Sequence, residues 1–226
     1  QAEDGIRSLR MSRGLGDVYK RQYLSCANQP VCYSDYVIFV AEVASTCNEA
    51  LLTRYLLDHA KNERERAYFL NHFLEQFRAT LYRQTMFAEF ELKVAELTAQ
   101  GAGITADALC GIYKELNAQY FGDGIALDEN IALEWARIPH FYRPFYVYKY
   151  ATGYSTAVAL SEGILKEGEP AVKRYKEFLS MGGSAYPLDE LRHAGVDLAT
   201  PAPVGAALEK FERILDDAEA TLAKMQ

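Results

Sequence analysis

Residues 33 to 52, YSDYVIFVAEVASTCNEALL, constrain the fold most. Between Tyr36 and Asn48 the only charged side chain is Glu42, and neither Gly nor Pro interrupts the run. That pattern predicts a buried helix from about Asp35, which would cap it, to about His59. A lone carboxylate in such a wall needs a partner, because an unpaired charge taken out of water costs several kcal/mol. Glu49 falls about two turns further along on nearly the same stripe, with Ser45 and Thr46 between them. One face therefore offers two carboxylates and two hydroxyls beside an apolar wall. The plain alternative is an internal salt bridge from Glu42 to an arginine on another helix.

The remaining pattern is helical too. Tyr68, Phe69, Phe73, Phe77, Leu81, Met86, Phe90, Val94 and Leu97 keep helical spacing, so residues 63 to 98 read as one long helix, bent or straight. Gly101 and Gly103 close it, and a further helix spans roughly 105 to 120 before the FGDG turn. Asp128 to Ala136 is a short helix ending near IPHF. Beyond Pro144 the tyrosines read either as a strand, by alternation of Tyr146, Tyr148 and Tyr150, or as a helix, by the fourfold spacing of Tyr142, Tyr146, Tyr150 and Tyr154. Gly153 marks a weak point there, Pro170 starts a helix, and a last amphipathic helix rests on Leu208, Phe211, Leu215, Ala218 and Leu222. With no convincing sheet and no internal repeat, the expected fold class is all-α.

Charge and thiols narrow the function. The net charge is −7 with acidic and basic residues interspersed, which removes the electrostatic footprint of a nucleic-acid binder. No run approaches the ~20 apolar residues of a membrane span, and no signal peptide is evident. Cys26, Cys32, Cys47 and Cys110 lack metal-site spacing, Cys47 reads as a small buried hydrophobe, and free thiols point to a cytoplasmic location.

Residues 1 to 22, QAEDGIRSLRMSRGLGDVYKRQ, differ from all that follows: they are rich in Arg and Gly and have no helical apolar period. They read as a non-native or disordered leader, such as a translated library adapter joined to a truncated gene, or else as a flexible basic arm. The folded portion is expected from residue 23 to 226. Near its middle, PHFYRPFYVYKYATGY sets His140 among Tyr142, Tyr146, Tyr148, Tyr150 and Tyr154. Such a run concentrates donors able to stabilise an oxyanion if they face a cleft, and otherwise packs as an aromatic surface. The other histidines, His59, His72 and His193, stand among charged neighbours and read as solvated.

NQPVCYSDYVIFVAEVASTCNEALL, FRATLYRQTMFAEFE, YFGDGIALDE, ALEWARIPHFY and FYVYKYATGYS together resemble the oligoendopeptidase F family, in the thimet-oligopeptidase-like group of zinc metallopeptidases. The resemblance runs in order from Tyr23 to the C-terminus. It implies the C-terminal part of a helical, zincin-like catalytic domain that hydrolyses short peptides by a metal-activated water. It implies Glu42 as a zinc ligand, Glu49 as a carboxylate orienting a ligand histidine, and His140, Tyr146 and Tyr150 as catalytic groups, with Tyr148 and Tyr154 as further candidates. The family's H-E-x-x-H helix, which supplies two histidine ligands and the general base, has no counterpart. Counting back from Glu42 by the family spacing reaches Gly14 to Val18, GLGDV, inside the anomalous leader. This chain is therefore expected to bind no stoichiometric zinc and to cleave no peptide. The competing class is a non-catalytic helical module binding peptides or a partner through the tyrosine-rich face.

Overall fold

Strong helix formers are punctuated here by capping and breaking residues, and the chain follows that punctuation. The computed structural model describes residues 15–225, with side chains from Lys20 onward. Helix α1 spans Leu15–Asn28, α2 Ile38–Ala41, α3 Val43–Asp58 and α4 Glu63–Gln76. A π-helical stretch, Phe77–Tyr82, carries the chain without a break into α5, Arg83–Ala99. Then come α6, Ala106–Phe121, two 3₁₀ segments at Glu129–Arg137 and Pro139–Tyr142, α7 Tyr148–Glu167, α8 Glu169–Ser180, α9 Pro187–Ala194 and α10 Ala202–Ala223. No strand occurs among the described residues, so the all-α expectation holds.

Local chemistry sets these ends. Asn62 caps α4, its Oδ1 accepting the Glu65 N–H at 2.9 Å, while Glu65 Oε2 accepts the Lys61 N–H at 2.7 Å. Thr105 caps α6 and Asp128 caps the following 3₁₀ segment. The long helix over 63 to 98 is continuous, and its π-helical stretch absorbs the irregularity.

Several expectations are corrected. The helix around Glu42 is not continuous from Asp35: it starts at Ile38, breaks at Glu42 and resumes at Val43. Asp35 caps nothing there, because its carboxylate accepts the adjacent Tyr36 N–H and Val37 stands at the N-cap. The tyrosine run is helical from Tyr148, so the strand reading fails, and Gly153 lies inside α7 rather than at a weak point. A Cβ there would sit 3.9 Å from Val43, a packed interior position. In α10 the buried stripe is Ala207, Lys210, Ile214, Ala218 and Thr221, and Leu208, Leu215 and Leu222 are exposed. The buried face is turned by about one residue, and Lys210 fits a core-facing position by extending its Nζ to Glu162, 2.7 Å away.

The chain divides into two units, one built from residues up to Phe77 and from Thr152 onward, the other from Arg78 to Ala151. In the first, Val40, Val43 and Cys47 pack with Ala157, Phe178 and Leu191. Burying one such phenylalanine contributes about 2 to 3 kcal/mol. Cys47 is sealed there, and burial pushes its thiol up to about 12. In the second unit, Met86, Phe87 and Phe90 of α5 meet Tyr113 and Leu116 of α6, with Ile138 and Val147 closing the cluster.

The part of the anomalous leader from residue 1 to 14 lies outside the described residues. From Leu15 the chain is helical, and Arg21 is fully buried between the rings of Tyr36 and Phe178, 4.2 and 4.5 Å from their centroids. Its Nη1 donates to the Val40 carbonyl, and Nη2 lies 3.6 Å from Glu190. The turn after α8 presses on the loop leading to α2. Gly182 has φ +57, and a Cβ on it would lie 2.0 Å from the Tyr33 carbonyl oxygen; the Gly183 N–H donates to that same oxygen at 2.9 Å.

Candidate active site

In the first unit the sequence places two carboxylates on the α2–α3 segment. Glu42 is the break residue itself, with φ −86 and ψ −6. Its carbonyl accepts the Thr46 N–H at 3.1 Å and the Ser45 hydroxyl at 3.0 Å, so the main chain turns there without losing its hydrogen bonds. The break swings the side chain outward, and Glu42 is exposed rather than buried as the apolar run predicts. Among the described residues no cation pairs with its carboxylate, which removes the internal salt bridge. Apolar surroundings still withhold water from the group and raise its pKa.

Glu49 lies on α3, where its Oε2 accepts from Gln76 Nε2 at 3.4 Å. Its charge, after burial itself, holds the Tyr154 hydroxyl well above the ordinary tyrosine range. Tyr154 is buried against the edge of Phe77, with centroids 4.9 Å apart, and its hydroxyl has no partner. It therefore faces core rather than a cleft. Ser45 spends its hydroxyl on the Glu42 carbonyl, so one of the two hydroxyls expected beside the carboxylates is taken up.

In the second unit His140, Tyr146 and Tyr150 come together. His140 sits in the 3₁₀ segment opened by Pro139, and its Nε2 lies 3.3 Å from the Tyr150 hydroxyl. The His140 and Tyr146 rings stack with centroids 5.9 Å apart, and Tyr150 meets His140 edge-on at 5.8 Å and Tyr146 at 5.6 Å. Lys149 Nζ stands 5.0 Å from the Tyr146 ring centre. Tyr142 and Tyr148 are exposed outside this triangle. Three donors thus share one surface, and the triangle can hydrogen-bond an anionic oxygen.

The turn into this triangle is held by a residue that pattern reading passes over. Phe145 has φ +56, an uncommon conformation for a side chain of its size, and its N–H donates to Glu91 Oε1 at 3.0 Å. Burial raises the Glu91 pKa, and the Phe145 N–H opposes that rise. Nothing in FAEFELK distinguishes Glu91 from an ordinary helix-surface carboxylate. The other histidines are peripheral: His59 and His193 are exposed, the latter 2.8 Å from Glu177, whereas His72 is half-buried and has partners within the protein.

Donor chemistry decides whether zinc fits. A catalytic zinc takes three protein ligands. Among the described residues no three His, Cys, Asp or Glu side chains come together in that way, and none of the four histidines of the sequence belongs to an H-E-x-x-H motif. The described residues do not by themselves make a zinc site.

Comparison with known proteins gives the same lineage throughout. The family model for Peptidase family M3 matches residues 21–210. Oligopeptidase PepF of Bacillus subtilis is 54% identical over 204 residues, covering 90% of this chain and 30% of the relative. The plasmid oligoendopeptidase F of Lactococcus lactis subsp. cremoris is 44% identical over 197 residues, 87% of this chain and 33% of its own length. The crystal structure of oligoendopeptidase-F from Enterococcus faecium superposes with a TM-score of 0.82 at 38% identity, over 92% of this chain and 38% of that one. The chain spans about a third of the length of these relatives.

Proposed function

Because the chain belongs to Peptidase family M3, we propose that it is the C-terminal part of the catalytic domain of a zinc-dependent oligoendopeptidase acting on short peptides. The observation that carries this reading is Glu42: a solvent-facing carboxylate, raised by apolar surroundings, with no cation beside it among the described residues. An unpaired carboxylate with a raised pKa is the kind of group a functional site recruits. In this reading it is the single zinc ligand this chain contributes, and Glu49 orients a ligand histidine that this chain lacks. His140, Tyr150 and Tyr146 bind the peptide carbonyl and hold its oxygen as negative charge develops. The non-native leader ends ahead of Arg21, which is packed in the core and opens the family match, and the parent enzyme is cytoplasmic.

The donor set does not support zinc chemistry in the chain as it stands, so no hydrolytic step is assigned to it. Elemental analysis of the purified 226-residue protein should find far less than one zinc per chain, with no cleavage of a quenched peptide. Residues 23 to 226, substituted for the matching third of the Bacillus subtilis oligopeptidase, should support chelator-sensitive cleavage. Glu42→Ala in that chimera should lower it by roughly a hundredfold or more, the scale set by losing a metal ligand. One zinc per chain with cleavage by the isolated protein would overturn the assignment. So would a chimera indifferent to Glu42.

A further inference from the structure

The second unit carries a groove that the reading above does not use. Helix α6 ends at Gly122, whose φ of +65 turns the chain sharply, and the segment from Ile125 returns beside the end of that helix into the 3₁₀ segment capped by Asp128. Between them lies a groove of about 540 Å³ lined by Phe121, Ile125, Leu127, Ile131 and Leu133, with Asn117 among them. Ile125 and Leu133 are each 56% exposed, an open apolar surface rather than a sealed core.

Asn117 is 1% exposed, and its two ends are unequally served. Nδ2 donates to the Tyr113 carbonyl at 2.8 Å, and Oδ1 has no partner. A carbonyl accepts only a donor, so the oxygen is the end left over. A leucine would fill the same helical position without an orphaned acceptor, and a buried acceptor kept at such a position calls for a donor.

The charged groups beside the groove are engaged within the protein. Glu134 accepts from Tyr113 at 2.7 Å, from Arg83 at 2.6 Å and from Arg137, and these bonds with the two guanidinium charges outweigh its burial and bring its pKa below the ordinary value. The Asp128 carboxylate accepts the Asn130 N–H at 2.7 Å. The lining between these groups is apolar, so an aliphatic group carrying one N–H matches both that lining and the unpartnered Asn117 acceptor.

We propose that this groove is a peptide subsite that takes an uncharged aliphatic residue, with a peptide N–H donating to Asn117 Oδ1. It rests on the peptidase reading for the choice of a peptide, but its test reads binding and not cleavage. The two can therefore fail separately.

The probe is N-acetyl-leucinamide, titrated into ¹⁵N-labelled 226-residue protein beside its fully N-methylated analogue, which has no N–H. The amide should give saturable shifts at residue 117 and across residues 125 to 133, and the methylated analogue should bind at least fivefold more weakly. Asn117→Leu should lose that fivefold preference. Leu133→Lys, on an exposed position and so safe for folding, should weaken both ligands and keeps the test open if the first variant fails to fold. Shifts confined elsewhere, or equal affinity of the parent chain for the two ligands, would overturn the proposal. So would shifts that follow protein concentration instead of ligand, which would mean a second copy covers the groove.

Discussion

Arg21 and Glu190 show how a single residue pair can dominate a titration. Burial pushes the Glu190 carboxyl up to about 7, against the pull of the Arg21 charge. Between the ordinary glutamate value of 4.5 and about 7 the folded protein holds a proton that the unfolded chain has released. The stability from that proton is therefore complete below 4.5 and lost as pH rises through about 7. Comparing urea unfolding at pH 5 and pH 8, Glu190→Gln should remove on the order of 2 kcal/mol of pH dependence relative to the parent chain. At this scale the sequence was readable where a residue type is rare in its setting. Glu42 stood out as the one charge in an apolar run, yet its exposure did not, because a break in helical φ and ψ leaves no mark in hydropathy. Arg21 sat in a stretch with no apolar period, and its burial depends on two rings far along the chain.

Among elements, the contacts that matter are between backbones and so are silent in composition. The turn at Gly182 fits the loop before α2 only because no Cβ is present, with the Tyr33 oxygen 2.0 Å from where one would stand. Gly182→Ala should cost about 3 kcal/mol or more, combining the clash with the positive φ, as a lowered urea midpoint at unchanged slope. The tie between Glu91 and Phe145 works in the same way on the other unit. Glu91→Leu should lose about 1 to 2 kcal/mol and the nuclear Overhauser contact between the His140 and Tyr146 rings, whereas Glu91→Gln, which keeps an acceptor, should retain both. Helix existence was legible from apolar spacing across almost the whole chain. The facing of α10 was not, since its buried stripe includes a lysine reaching Glu162 and leaves the leucines outside.

For the molecule as a whole, the packed clusters among the described residues account for why apolar periodicity sufficed to predict an all-α fold while the site required motifs. Cores are built from redundant contacts, so the pattern survives individual errors. The candidate site draws on residues far apart in sequence, and only the resemblance joined Glu42 to the His140 triangle as members of one enzyme. The sealed thiol of Cys47 makes the first core a clock. Cys26 and Cys32 are open to solvent, so iodoacetamide should alkylate both within minutes, and Cys47 should react only when the protein opens. Intact-mass spectra taken over hours would then show the late adduct growing at the opening rate, and a variant such as Gly182→Ala should bring it forward.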